Sequence, residues 1–257
     1  MSKSRSSLTK APSGTPGVIL AAGKGTRMKE RGPKAAVPVG GKPMAVRVAD
    51  AMRGAGLARI IAVIGHRGEE VRGALGDAVE YVLQKEQLGT GHATRCAQPA
   101  LSSYRGPLVV AYADIPLLHR GDVVRLMARH IESDAAATLL TAVFSDPGML
   151  GRILRAEDGT VAAIVEARDA TPEQLLIREI NVGVYCFDAP LLFEVLAELT
   201  DDNAQRQYYL TDAIGMLARR GRRIEALAME LPHRGMGVDT ADDLARAQGF
   251  SMMGDAI

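Results

Sequence analysis

The chain has 257 residues, with 31 Lys+Arg against 30 Asp+Glu and a net charge of +1. Hydrophobic residues make up 47% and charged residues 24%, the balance of a globular chain that can bury a core without disulfide or metal staples. The near-neutral charge argues against a nucleic-acid partner, and no apolar run approaches the roughly 18 residues that a membrane span needs.

Residues 1–17 are basic and rich in Ser, Gly and Pro without the apolar stretch of a signal peptide, which predicts a disordered leader. Order is expected to begin at Val18. Val18–Ala22, Ile60–Ile64, Tyr81–Leu83 and Leu108–Tyr112 read as buried strands. Between them Met44, Val48, Ala51 and Met52, and later Val123, Leu126, Met127 and Ile131, repeat at helical spacing. This alternation predicts an α/β fold, with a mixed but mostly parallel Rossmann-like sheet covered by helices on both faces. In such folds ligands bind beyond the carboxyl ends of the strands.

The second half is less regular. Leu139–Phe144, Val161–Val165, Val182–Phe187 and Ile224–Met229 read as strands. Asp188-Ala189-Pro190 opens a helix through about Leu199, with Asp as cap and Pro in the first turn. Thr211–Arg220 reads as a helix closed by Gly221, and Thr240–Gln248 as a last one. With no clear linker, residues 18–250 are expected to form a single domain with a smaller lobe, followed by a flexible tail at 251–257. Cys96 and Cys186 fit no metal-ligand spacing and read as small core hydrophobes, and so few cysteines suit a reducing, cytoplasmic setting.

The strongest motif leaves the first strand at its carboxyl end: Leu20-Ala21-Ala22-Gly23-Lys24-Gly25-Thr26-Arg27-Met28, followed by Pro33-Lys34. Glycines there let backbone N–H groups approach phosphate oxygens, Arg27 offers a planar fork, and Lys34 a mobile point charge. The string is not a Walker A loop, and Met28 stands where a G-x-G-x-x-G motif needs its third glycine.

This string resembles the signature of sugar-1-phosphate nucleotidyltransferases. Further blocks continue the resemblance in order: Gln84-Lys85-Glu86-Gln87-Leu88-Gly89-Thr90-Gly91-His92-Ala93, Tyr112-Ala113-Asp114-Ile115-Pro116, Gly151-Arg152-Ile153, Ile164-Val165-Glu166, Glu179-Ile180-Asn181, Asn203-Ala204-Gln205 and Tyr208-Tyr209-Leu210-Thr211-Asp212. From about Val18 to about Ala247 the chain is most similar to the N-terminal uridylyltransferase half of bacterial bifunctional N-acetylglucosamine-1-phosphate uridylyltransferase/glucosamine-1-phosphate acetyltransferases. The resemblance implies the nucleotide-diphospho-sugar transferase fold, with the smaller lobe binding the sugar.

It further implies a Mg²⁺-dependent reaction between a nucleoside triphosphate and a sugar 1-phosphate, UTP and N-acetylglucosamine 1-phosphate first among them. Arg27 and Lys34 would be catalytic. Leu20, Ala21, Ala22, Gly23, Gly25 and Thr26 would hold the nucleotide, Gln84 and the Gly89 backbone would read the base, and Thr90 would lie near the sugar nucleotide. His92 is expected to pack at a helix start rather than act as a base. Asp114, ending an apolar strand, suits an oxygen-ligated metal, with Asp239 as its partner; Asp239 could equally cap the last helix. Tyr112, Gly151, Glu166, Asn181 and Thr211 would surround the sugar.

Three positions depart from the uridylyltransferase pattern: Ala113 replaces glycine, Leu150 replaces tyrosine, and Val182 replaces threonine. Leu150 and Val182, on the sugar side, leave another hexose or hexosamine phosphate open, and Asp239, where the uridylyltransferases usually have Asn, leaves room for thymidylyl transfer. Cytidylyl transfer to a non-sugar phosphate and a catalytically silent nucleotide-sugar sensor are the further alternatives. The bifunctional enzymes also carry hexapeptide repeats of a left-handed β-helix, which do not occur before Ile257, so acetyl transfer is not expected of these residues. The expected partners are the two small substrates alone, in a monomer or small homo-oligomer.

Overall fold

A computed structural model describes residues 10–23, 25 and 32–252. Its first half alternates strand and helix: β1 (Pro16–Ala21), the hairpin β2 (Pro38–Val39) and β3 (Lys42–Pro43), α1 (Met44–Gly54), β4 (Arg59–Ile64), α2 (Gly68–Leu75), β5 (Glu80–Leu83), α3 (Thr90–Cys96), β6 (Pro107–Tyr112) and α4 (Arg120–Ser133). The second half runs β7 (Ala137–Val143), β8 (Arg152–Arg155), β9 (Val161–Val165), α5 (Pro172–Leu175), β10 (Glu179–Asp188), α6 (Ala189–Ala197), α7 (Leu210–Arg219), β11 (Ile224–Ala228) and α8 (Ala241–Met252).

Among the described residues the main sheet has the order β11-β7-β10-β6-β1-β4-β5, with β8 and β9 joined to one end of β10. β1 pairs in parallel with β4 on one side and β6 on the other, and β4 with β5. The chain therefore moves outward from β1 through α1 to β4 and β5, then crosses back to β6. That reversal opens a crevice beyond the carboxyl ends of β1 and β6, where such sheets bind ligands. β10 enters antiparallel between β6 and β7, which makes the sheet mixed.

Adjacent strand residues face opposite ways, and the two cores follow from that alternation. Ile19, Ala62, Val109 and Ala111 turn to one face, against α1, α2 and α4. Val18, Ile61, Val63, Leu108 and Val110 turn to the other, against α3, α6 and α7. α1 buries Met44, Ala45, Val48, Ala49, Ala51 and Met52, the stripe its spacing predicted. α6 is capped as the sequence suggested, with Asp188 Oδ1 accepting from the Leu191 N–H at 3.0 Å. A third cluster joins the β2–β3 hairpin to α8 through Val37, Val39, Met236, Val238, Leu244 and Ala247.

Several boundaries move. Thr15 is buried, β1 starts at Pro16, and the Ala11 N–H donates to Ala55 O at 2.7 Å, so the last part of the expected leader is packed. α8 extends to Met252, into the expected tail. α2 and β8 were not anticipated. α2 has too few apolar residues to show a stripe, burying only Val71, Leu75 and Gly68. β8 is flanked by two arginines, with Arg152 itself buried. Cys186 is buried in β10 and Cys96 is half-buried beside the second core; both are free thiols. No described helix is long and apolar enough to cross a membrane.

Candidate active site

A cavity of about 650 Å³ opens at the crevice between β1 and β6. Its wall includes Leu20 at the end of β1 and Ala22, Gly23 and Gly25 after it, Gln84, Gly89 and Thr90 after β5, and Tyr112 at the end of β6 with Asp114 after it. Gly151, Glu166, Asn181 and Asp239 complete it from the second half of the chain. A smaller cleft of about 210 Å³ adjoins it and adds Ala21, Lys34 and Ala113. Residues spread over more than two hundred positions of sequence thus converge on one space. Thr26 and Arg27 lie outside the described residues.

Lys34 sits in the smaller cleft, at one end of the cavity. Its Nζ donates to both Asp114 Oδ2 and Asp239 Oδ1. Burial works against the ammonium, but the two carboxylates outweigh it and hold its pKa above the ordinary lysine value. The geometry depends on Gly25, whose φ is +57° and where a Cβ would stand 2.9 Å from Lys34 Cβ. The two aspartates are aligned by backbone: the Val238 N–H donates to Asp114 O at 2.9 Å.

The two uses of Asp239 foreseen from sequence are now separated. Thr240 Oγ1 accepts from the Asp243 N–H at 3.1 Å, and Asp243 Oδ2 accepts from the Thr240 N–H at 2.9 Å. This reciprocal pair caps α8. The Asp239 carboxylate instead meets Lys34 in the cleft.

The wall formed by the loop after β5 is sewn to a distant segment. The Tyr208 N–H donates to Leu88 O, the Gly91 N–H to Tyr208 O, and the Leu210 N–H to Thr90 Oγ1, at 2.8, 2.8 and 2.9 Å. Gly89 has φ +110°, and a Cβ there would stand 2.5 Å from Tyr208 O. Thr90, expected near the sugar nucleotide, therefore also anchors the start of α7. Gln84 is buried on this wall, with its Nε2 3.1 Å from Gly89 O and 2.9 Å from His92 Nδ1. His92 lies in the first turn of α3 and is absent from the cavity wall, as the sequence suggested.

On the wall contributed by the second half of the chain, Asn181 lies where the pairing of β10 with β7 shifts register. Asn181 Oδ1 accepts the Gly183 N–H at 3.1 Å, and Nδ2 donates to Tyr185 Oη at 2.7 Å. Tyr185 Oη in turn donates to Tyr112 Oη at 3.4 Å. Burial pushes both phenols above the ordinary tyrosine range, so both stay protonated. Burial also raises the Glu166 carboxyl, with Asp212 and Asp169 adding to the effect while a hydrogen bond from Thr211 opposes it.

Thr211 is the misplaced expectation. It is fully buried, away from the cavity wall, and its Oγ1 donates to Glu166 Oε1 at 2.9 Å. It supports a wall residue, Glu166, and is not itself part of the cavity's lining. The three departures lie at the site: Leu150 and Val182 line the cavity, and Ala113 lines the smaller cleft. Arg168, Gln207, Gly235 and Gly237 also line the cavity and were not singled out from sequence. Arg168 lies two positions beyond Glu166, and that adjacency was the available signal.

Comparison with known proteins agrees with this geometry. Residues 17–229 match the family model described as the MobA-like NTP transferase domain. The chain is 46% identical over 231 residues to the bifunctional protein GlmU of Exiguobacterium sibiricum, covering 90% of this chain and 51% of that one. It is 47% identical over 235 residues to the GlmU of Syntrophotalea carbinolica, covering 91% and 50%. To the GlmU of Bacillus subtilis it is 42% identical over 233 residues, covering 91% and 51%. The chain thus spans about half the length of these relatives. A crystal structure of a UDP-glucose pyrophosphorylase with UDP-glucose shares its fold at a TM-score of 0.73 and 18% identity, covering 93% of this chain and 98% of that one. A crevice at the sheet's reversal, a lysine flanked by two aspartates and the family match over most of the sequence lead to one conclusion: the chain belongs to the MobA-like NTP transferase domain family.

Proposed function

We propose that this chain transfers a uridylyl group from UTP to a sugar 1-phosphate, with N-acetylglucosamine 1-phosphate the foremost acceptor. The observation that carries the reading is the meeting of Asp114 and Asp239 on a single cationic nitrogen at one end of a cavity. The other walls of that cavity offer an amide at Gln84 and a carboxyl and amide at Glu166 and Asn181. The uridylyltransferase motifs of the sequence support the same substrates.

In this reaction an anionic oxygen of the sugar phosphate attacks the α-phosphorus. The bond from that phosphorus to the bridging oxygen breaks, and pyrophosphate leaves with the electron pair. The nucleophile is already deprotonated, so no general base is needed. The obstacle is repulsion between two polyanions, which calls for positioning and positive charge.

Asp114 and Asp239 fit Mg²⁺, since two carboxylates that reach one ammonium can reach one hard cation, and Mg²⁺ takes further oxygens from phosphate and water. Bound there, Mg²⁺ would neutralise phosphate charge as the transition state forms. Lys34 contributes a second cation at the phosphates. Arg27 and the backbone of the glycine-rich loop hold the departing pyrophosphate. Gln84 reads the base, and Glu166 and Asn181 bind hydroxyl or amide groups of the hexose.

The test is pyrophosphate release with Mg²⁺, offering UTP, dTTP, CTP, ATP and GTP against a panel of sugar 1-phosphates. Selective turnover of UTP with N-acetylglucosamine 1-phosphate is expected. Selective turnover of another pair would reassign the substrates, and silence with every pair from folded protein would overturn the reaction.

A further inference from the structure

The amide of Gln84 can be oriented by chemistry alone. One of its two terminal atoms lies 3.1 Å from Gly89 O, and a carbonyl oxygen can only accept, so that atom is the nitrogen. The same nitrogen lies 2.9 Å from His92 Nδ1. Its two protons are then both engaged, and Nδ1 must be the unprotonated nitrogen of a neutral imidazole. Gln84 lines the cavity, and the Oε1 left over by these two contacts can only accept.

We propose that His92 is the positioning residue that makes the base subsite select an imide edge, by holding the Gln84 amide with its oxygen toward the nucleotide. The proposal rests on the nucleotide-binding reading of this cavity. Uracil and thymine present an N3–H donor to such an oxygen, whereas cytosine presents a lone pair at N3. A His92 protonated at Nδ1 would set donor against donor, leaving no orientation of Gln84 that satisfies both Gly89 O and the ring.

The surroundings keep the ring neutral. Burial lowers its pKa below the ordinary histidine value, and Arg95 on α3 lowers it further. Glu86, in the loop before α3, acts the other way through its charge and a backbone hydrogen bond. Tyr208, ahead of α7, faces the ring at a centroid distance of 6.5 Å and lies under the Arg95 guanidinium. Since His92 does not line the cavity, its influence passes through Gln84.

The experiment is calorimetric binding of UTP and of CTP, each with Mg²⁺, to the full chain and to His92→Phe and His92→Gln. Phe keeps a ring without an acceptor, while Gln keeps an acceptor. Losing one well-made hydrogen bond should lower the UTP-over-CTP preference about tenfold in His92→Phe, and His92→Gln should restore most of it. In the unmutated chain the preference should fall as pH drops through the lowered His92 pKa. His92→Gln should lack that fall, which separates the ring from titration of the nucleotide phosphates. An unchanged preference in His92→Phe, or a preference flat with pH in the unmutated chain, would overturn the proposal. So would tighter binding of CTP than of UTP to the unmutated chain. Binding is read without turnover, so a chain that binds UTP selectively yet releases no pyrophosphate would tell against the reaction and leave the role of the ring standing.

Discussion

The two ends of the cavity are built differently. At the end proposed to hold the phosphates, Asp114 follows the carboxyl end of β6, Lys34 comes from the turn before β2 and Asp239 from the loop before α8, and this one ion cluster supplies the charge. At the sugar end, the sheet turns antiparallel and its ladder is interrupted at Asn181. There the wall residues are held by buried neutral partners, Thr211 behind Glu166 and Tyr185 behind Asn181. The first end is organised by charge and should govern the rate of reaction. The second is organised by hydrogen bonds and should govern which acceptor binds.

The largest effect is expected where charge is removed from the phosphate end. Asp114→Ala or Asp239→Ala should lower kcat by on the order of 10²–10³, since a preorganised electrostatic contribution to the transition state is lost. The KM for the sugar phosphate should change far less. Steady-state kinetics on both substrates check this, with circular dichroism to confirm the fold. A mutant that keeps its kcat and loses only acceptor affinity would erase the distinction between the two ends.

Glu166→Gln tests the other end with the opposite pattern. Replacing the carboxylate by an amide weakens a hydrogen bond to the hexose, so the KM for the acceptor should rise about tenfold with a smaller change in kcat. Stability should move with pH. The Glu166 pKa is raised in the fold, so its contribution is fully present below the unfolded value and is lost as pH rises through the folded one. Melting at about pH 8 should therefore show the Gln variant gaining on the parent, and at about pH 4 the gain should vanish. The result would mark Glu166 as a residue that favours binding at the expense of stability.

Tyr185→Phe probes the support behind the sugar wall. The Asn181 amide would lose its acceptor while remaining buried, at a cost of about 1–3 kcal/mol in a urea titration. A smaller rise in acceptor KM should accompany it, because Asn181 keeps its bond to the Gly183 N–H.

The same contrast explains what could be read from sequence. At the phosphate end each apolar run stops at a polar or glycine residue, as at Leu20-Ala21-Ala22-Gly23 and at Tyr112-Ala113-Asp114, so strand, loop and chemistry lie side by side. The contacts between side chains, by contrast, join residues far apart in the chain at both ends. Lys34 and Asp239 are 205 positions apart, Thr211 and Glu166 are 45 apart, and Thr90, which follows β5, is 120 from Leu210. Thr211 therefore read as a wall residue when it is a support. Gln84 could be proposed as a reader of the base from its amide, but the two contacts on its nitrogen, Gly89 O and His92 Nδ1, emerge only from the folded chain. Two runs of the fold were hidden for a related reason. β8 has a buried arginine where an apolar residue would have marked a strand, with Arg152 donating to Leu150 O and Gly148 O. α2 exposes most of its surface and shows no continuous stripe.

The smallest expected effect concerns Asp239 itself, whose sequence context allowed either a cleft role or a cap. Because Thr240 and Asp243 cap α8 reciprocally, the cap can be removed without touching the cleft carboxylate. Thr240→Val should cost about 1 kcal/mol of stability, the usual value of a helix cap, and should leave kcat close to that of the parent. The two readouts are a denaturant titration and the pyrophosphate assay. A loss of turnover matching that of Asp239→Ala would mean that the cap and the carboxylate act as one unit. In that case the phosphate end would depend on α8 as closely as the sugar end depends on its buried partners.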